Sequence, residues 1–479
     1  MVQSRMFLGL SRRFWLMLAV IVLVTAAGIV GPRLYRMALL GSGYMAQLLC
    51  SGMFVSGRDY EDLMRQDLSG PGLEALRLFT PSVDTDAKDV SAAVFGLAGQ
   101  TSIYREGLGC TLIDGRDEAE LRAVAEGLFP PAPALDRDAE WPDGARVTKG
   151  PWPGGVDGAA AARAIEAIFA EPDPKRPRGS RALVVVYRGR IVAERYADGF
   201  DAHMPLIGWS MSKTGTNALV GLRVQDRALA LDDTRLMPEW RGPDDPRGAI
   251  TLNELMRMTS GLAFDESYDD KLSDVSQMLF THGDTARFAA EKPLIHEPGT
   301  VWSYSSGTTN ILAAIVRETF DGEREYLRFP HDRLFAPLGM RTAALPPDAS
   351  GTLMGASFLY ASARDWARLG LLFVQDGMWR GERLLPAGWA AYSLRPTPQS
   401  PHNDYGAQIW LKLPDSPGRG EPPMPEDAFY MSGYDGQVVA MVPSRDLVVV
   451  RLGLSRKGSD WESARDLAPL VNAFPARAP

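Results

Sequence analysis

Ser210 and Lys213 stand three residues apart in Ser210-Met211-Ser212-Lys213, just ahead of the apolar positions Ala218, Leu219, Val220, Leu222 and Val224. Residues at that spacing share a helix face, so a helix beginning near Ser210 would let Oγ meet Nζ. A serine hydroxyl needs a neighbouring base before it attacks a carbonyl. A lysine can be that base when burial lowers its pKa. The plain alternative for Ser210 is a helix N-cap. Gly208-Trp209-Ser210-Met211-Ser212 also comes close to the Gly-x-Ser-x-Gly elbow that works with an acid and a histidine. Its final glycine is missing and no strong strand precedes it, so a serine–lysine pairing is the better reading.

Two later clusters carry further chemistry. Pro298-Gly299-Thr300-Val301-Trp302-Ser303-Tyr304-Ser305-Ser306-Gly307 offers a phenol and hydroxyls behind a Pro-Gly turn, and Met431-Ser432-Gly433-Tyr434-Asp435-Gly436-Gln437 precedes the strand-like Val438–Val442. Together with Ser210-x-x-Lys213, these resemble the serine β-lactamase and penicillin-binding superfamily in its class C-like branch. Three more stretches are similar to segments of that family, in family order: Ile250-Thr251-Leu252-Asn253-Glu254-Leu255 running to Thr259-Ser260-Gly261-Leu262, Leu334-Phe335-Ala336-Pro337-Leu338-Gly339-Met340, and Ala361-Ser362-Ala363-Arg364-Asp365-Trp366-Ala367-Arg368-Leu369-Gly370.

The resemblance implies roles. Ser210 would be the nucleophile and Lys213 its base. Tyr304 would lie beside them and share a proton with the lysine, whose charge would lower the phenol pKa. Ser306 stands where class C enzymes carry an asparagine that holds a substrate amide. Ser432 and Gly433 would sit on an edge strand, the glycine allowing close backbone approach to substrate. The N–H groups of Tyr434 and Ser210 would form an oxyanion hole. Met431 replaces a cationic residue that would face a substrate carboxylate; with Ser306, it argues against penicillin-like substrates. Asp435 would face a cationic substrate group or cap a turn. Within the superfamily, Tyr304–Asn310 and Gly433–Gln437 look most like the 6-aminohexanoate-dimer hydrolases, implying cleavage of a small linear amide or ester through a serine acyl-enzyme. The alternatives are a carboxylesterase, a β-lactamase or D-Ala-D-Ala peptidase-like enzyme, and a non-catalytic membrane-tethered binding protein.

Composition bounds the rest. The 479 residues are 45% apolar and 23% charged, with net charge −8, an ordinary globular mixture in which no clustered basic face suggests nucleic acid. The five histidines, at 203, 282, 296, 331 and 402, form no His-x-x-x-His pair, and no Cys-x-x-Cys occurs. No metal or cofactor is expected.

Phe14 to Val30 is an uncharged apolar run, preceded by Arg5, Arg12 and Arg13 and ended by Gly31-Pro32. It is long enough for a spanning helix, and its basic flank favours a cytoplasmic N-terminus. An uncleaved inner-membrane anchor with a periplasmic catalytic part is favoured over a cleaved signal; Val24-Thr25-Ala26 would be the cleavage site. Only Cys50 and Cys110 are present. In an exported chain such a pair reads as a disulfide, the alternative being two buried thiols.

The organisation expected is therefore a membrane segment (1–35), an accessory region with two short helices at 59–64 and 118–129 and a Pro-rich linker from 130 to 142 (36–150), and the hydrolase (151–479). Ala159–Phe169 reads as a helix. Arg181–Tyr187 and Arg190–Tyr196 read as a hairpin, matched near the C-terminus by 438–442 and 447–452. Strands at both ends with helices between them imply an antiparallel sheet flanked by helices plus an all-α subdomain, as the resemblance also implies. Pro414–Pro425 reads as a surface loop.

Overall fold

The computed structural model describes residues 12–130, 135–148, 150–414 and 423–477. The Pro131–Pro133 part of the linker, Arg5 and most of the 414–425 loop lie outside them.

The expected mixed architecture is found. Its centre is a five-stranded antiparallel sheet. It is built from β5 (Ser180–Tyr187), β6 (Arg190–Tyr196), β7 (Phe429–Gly433), β8 (Gln437–Val442) and β9 (Leu447–Gly453), in the order β7-β8-β9-β5-β6. The chain's two ends meet where β9 pairs with β5. β5 is buried along its whole length, because both faces are covered. Leu183, Val185 and Tyr187 pack in a cluster with the helices Gly158–Phe169 and Ser463–Asn472; Ala182, Val184 and Val186 join the large core on the other side. That two-sided burial is why the strand reads as a continuous apolar run.

Between β6 and β7 lies the helical region. Its central pair is α3 (Ser212–Gln225) and α4 (Ser306–Arg317), with α5 (Ala363–Val374) returning to the sheet. Counting from the N-terminus, α1 is Arg12–Cys50 and α2 is Gly158–Phe169.

The N-terminal region departs from expectation in two respects. α1 runs through Pro32 without ending at Gly31-Pro32, and its last turns are buried at Met45, Ala46 and Leu49. Its partner there is a four-stranded antiparallel sheet not expected from the sequence: β1 (Phe79–Asp84), β2 (Asp89–Val94), β3 (Leu97–Arg105) and β4 (Gly109–Leu112). Val90, Ala92 and Cys110 close that small core. Cys50 and Cys110 are joined, with Cα atoms 6.1 Å apart, tying the end of α1 to β4. The two short helices are present as Tyr60–Asp62, capped by Asp59, and Glu118–Ala125, capped by Asp117. Among the described residues one helical stretch, Val30–Val55, is long and apolar enough to cross a membrane; 56% of its most apolar window is buried inside the protein.

Candidate active site

Ser210 sits in a tight turn, Trp209–Met211, immediately before α3. The turn is strained: Trp209 has φ +47°, a conformation that a bulky residue rarely adopts. Packing holds it there, with the indole against Phe358 and edge-on to Tyr434. Gly208 precedes it because a Cβ there would stand 2.2 Å from the Trp366 ring.

Lys213 lies on the first turn of α3 and is 1% exposed. Its Nζ has three oxygen neighbours: Ser210 Oγ at 3.1 Å, Ser306 Oγ at 2.9 Å and the Ala356 carbonyl at 3.1 Å. Burial pushes its pKa down to about 8, against an opposing pull from the Glu266 charge. The hydrogen-bond directions around it are informative. The Ala356 carbonyl can only accept. Ser306 donates its own proton to Glu266 Oε1 at 2.5 Å, so its oxygen also accepts from the lysine. When Nζ is a neutral amine, its lone pair is left for the third neighbour, the Ser210 hydroxyl.

Glu266 completes this arrangement and was not singled out from the sequence. It accepts from the Ser306 backbone N–H at 2.7 Å and from the Tyr268 hydroxyl at 2.9 Å. Ser306 is the first residue of α4, so the carboxylate also sits at a helix N-terminus, where free N–H groups favour negative charge. Tyr268 also lies near Ser210, which draws its pKa down slightly against the larger upward push of burial and the Glu266 charge. The result is a chain of hydrogen bonds running from Ser210 through Lys213, Ser306 and Glu266 to Tyr268. Nothing in the local sequence around 266 marks that carboxylate; only the fold brings it to residue 306.

Tyr304 is placed beside the nucleophile, near enough to Ser210 and Trp410 for both side chains to draw its pKa down slightly. Its ring lies under Lys213, Nζ being 4.9 Å from the centroid. The expected lowering of its pKa is not found. Burial pushes the phenol above its ordinary value and the Glu266 charge adds to this, so the group is a protonated donor. Trp410 and Tyr405 pack against its ring.

The remaining positions are rearranged. Ser306 is fully buried and lies between Lys213 and Glu266, so it is not free to hold a substrate amide. Gly433 ends β7, at the sheet edge, with Ser432 before it. The close approach there is to the protein's own backbone: a Cβ at Gly433 would stand 2.2 Å from the Gly208 carbonyl. That contact brings the backbone of Tyr434 next to the Ser210 turn. The Tyr434 ring stacks on Tyr268 at 5.1 Å. Met431 is buried in the core. Asp435 turns inward and pairs with Arg456 at 3.0 Å; burial raises its pKa to about 6. Its other oxygen is buried without a partner, and the residue does not line the cavity at Ser210. Ser210 itself opens onto a cavity of about 1060 Å³. No group of three or more metal-ligating side chains occurs among the described residues.

A buried lysine, a serine at 3.1 Å on the next turn and an antiparallel sheet edge beside them define the class as a β-lactamase-fold hydrolase. The family model described as Beta-lactamase matches residues 165–473, and the chain belongs to that family. It is 27% identical over 229 residues to 6-aminohexanoate-dimer hydrolase of Paenarthrobacter ureafaciens, a match covering 43% of this chain and 55% of the relative. The chain thus spans about half the length of that relative. Two solved structures share the fold. EstCE1, a hydrolase with promiscuous acyltransferase activity, is 16% identical with TM-score 0.51, covering 66% of this chain and 99% of that one. A penicillin-binding protein homologue from Caulobacter crescentus is 16% identical with TM-score 0.50, covering 68% and 98%.

Proposed function

We propose that the protein is an exported, membrane-anchored serine hydrolase that cleaves an amide or ester of a linear substrate through a Ser210 acyl-enzyme. Neutral Lys213 takes the Ser210 proton as Oγ bonds to the substrate carbonyl carbon. The N–H groups of Ser210 and Tyr434 receive the developing oxyanion. The proton then passes to the leaving nitrogen or oxygen as its bond to the carbonyl breaks; the Tyr304 phenol donates it while the Lys213 ammonium reprotonates the phenol. Water releases the acyl group by the reverse route. Tyr304 is a donor here and not the base, which follows from its burial.

The observation that carries this reading is the surroundings of Lys213 Nζ. Two of its three oxygen neighbours can only accept, leaving the lone pair of the neutral amine for Ser210. The relation to 6-aminohexanoate-dimer hydrolase favours a linear amide or ester over a β-lactam. The continuous helix α1, apolar through residues 14–30, supports an anchor, with the catalytic part on the outer side. A fluorophosphonate serine probe tests the assignment. Wild type should label; Ser210→Ala and Lys213→Ala should not. Equal labelling of all three would remove Ser210 from the role.

A further inference from the structure

The cavity at Ser210 is larger and more apolar than a short linear dimer needs. At about 1060 Å³ it exceeds the usual size of small-ligand pockets. Its inner end is Ser210, with Trp209, Leu279 and Phe280 beside it. Its outer walls come from the accessory region: α1 on one side, and on the other the 71–79 segment and the β2–β3 turn.

The rim is unusual for a water-facing surface. Leu34, Tyr35 and Met37 of α1 and Leu78, Phe95 and Leu97 opposite are all 41–79% exposed and all line the cavity. Asp269, Lys271 and Lys457 are charged members of the same lining, so the two walls present exposed apolar side chains together with charges, a combination that suits a partner or a membrane surface. The partner is indicated by continuity. Gly31, at the mouth, directly follows the apolar run Phe14–Val30 on the same helix. A chain anchored by that run would hold the mouth where α1 leaves the bilayer.

We propose that the cavity takes a long acyl chain of an ester or amide drawn from the bilayer, entering between α1 and the β2–β3 turn and presenting its carbonyl to Ser210. This rests on the serine-hydrolase reading and narrows its substrate from a small linear molecule to an acyl lipid. It also gives the accessory region a function: it builds the chain-binding half of the site. Each methylene buried should raise kcat/KM about fourfold until the cavity is filled.

The test uses the full chain in phosphatidylcholine vesicles with p-nitrophenyl esters and p-nitroanilides from acetyl to palmitoyl. Ala38→Trp and Ala75→Trp would narrow the cavity from opposite walls; Ala75 is exposed, so its replacement leaves the core intact. Expected are a kcat/KM that climbs with chain length, and a palmitoyl-to-acetyl ratio at least tenfold lower in each variant. A profile that is flat or falls with length, while acetyl substrates turn over, would overturn the acyl-chain proposal and leave the hydrolase reading standing. A climbing profile untouched by both tryptophans would place the chain elsewhere and also overturn it. Long-chain turnover in detergent micelles but not from vesicles would reject the bilayer as its source. No turnover of any substrate together with no fluorophosphonate labelling would remove both readings.

Discussion

Glu266 accepts the Ser306 hydroxyl at 2.5 Å, and this one bond fixes how the lysine beyond it can act. With its proton committed to the carboxylate, Ser306 offers Lys213 only lone pairs. Glu266→Gln breaks that commitment, since an amide can turn its NH₂ toward Ser306. It also removes the negative charge that holds the Lys213 pKa up. The acid limb of kcat/KM should therefore move to lower pH than in wild type, while kcat falls roughly tenfold to a hundredfold, at or below the low end of what a group that itself transfers the proton contributes. A carboxylate that merely props the loop would lower activity without moving the limb.

In wild type the limb itself is informative. Lys213 is pushed down to about 8 by burial, so about a tenth of it is neutral at pH 7. kcat/KM should rise about tenfold per pH unit below that value and level off above it. Tyr304 is pushed above its ordinary value, so no descending limb should come from it below pH 10. The same shift bears on stability. A lysine depressed in the folded state disfavours folding while charged, and that penalty disappears as pH rises from about 8 through the ordinary lysine range. Lys213→Met should thus abolish labelling by the serine probe and raise Tm at pH 7 by a few degrees. An inactive variant that melts no higher would show that the charged lysine is adequately solvated.

How far the site could be read from the chain depends on how local each feature is. Ser210 and Lys213 are one helical turn apart, so spacing alone predicts their meeting. β5 declares itself because both its faces are buried. Glu266 joins this chain of hydrogen bonds through the fold alone, forty residues from its Ser306 partner. The pKa expected for Tyr304 has the wrong sign because a sequence shows the neighbouring lysine but not the burial, nor the carboxylate that works against it. The accessory sheet was missed for compositional reasons. β1 carries Pro81, and β2 and β3 are rich in alanine, glycine and serine, residues with weak strand preference. Gly31-Pro32 looked like an end to α1, but the helix continues because Met45, Ala46 and Leu49 beyond it have a core to fill.

Asp67 clamps the accessory region to the hydrolase. Arg181, at the start of β5, grips both its oxygens at 2.8 Å, and Arg58 adds a contact at 2.6 Å. Burial pushes the Asp67 carboxyl up, but the two guanidiniums outweigh it and the net shift is downward. Stability from this group is present above the ordinary aspartate range and is lost as pH falls through the lowered value. Asp67→Asn would leave two largely buried guanidiniums facing each other. It should cost about 3 kcal/mol in urea unfolding at pH 7, and the difference from wild type should shrink toward pH 3. A cost that stays constant with pH would mean packing, and not charge, holds the clamp.

Cys50 and Cys110 are 60 residues apart in sequence, and the loop they close contains nearly all of the accessory sheet. In the chain-entropy account, closing such a loop stabilises by roughly 4 kcal/mol. The bond also fixes the last turn of α1, and with it the wall that α1 gives to the Ser210 cavity. Cys50→Ser/Cys110→Ser should lower Tm by several degrees, and reductant should lower wild type to about the same value. The hydrolase core of β5, β8, β9 and α3–α5 makes no use of the bond, so probe labelling of Ser210 should persist in the variant below its new midpoint. If labelling is lost while the far-UV spectrum is retained, then the accessory region, and not the hydrolase core alone, keeps the serine in its reactive position.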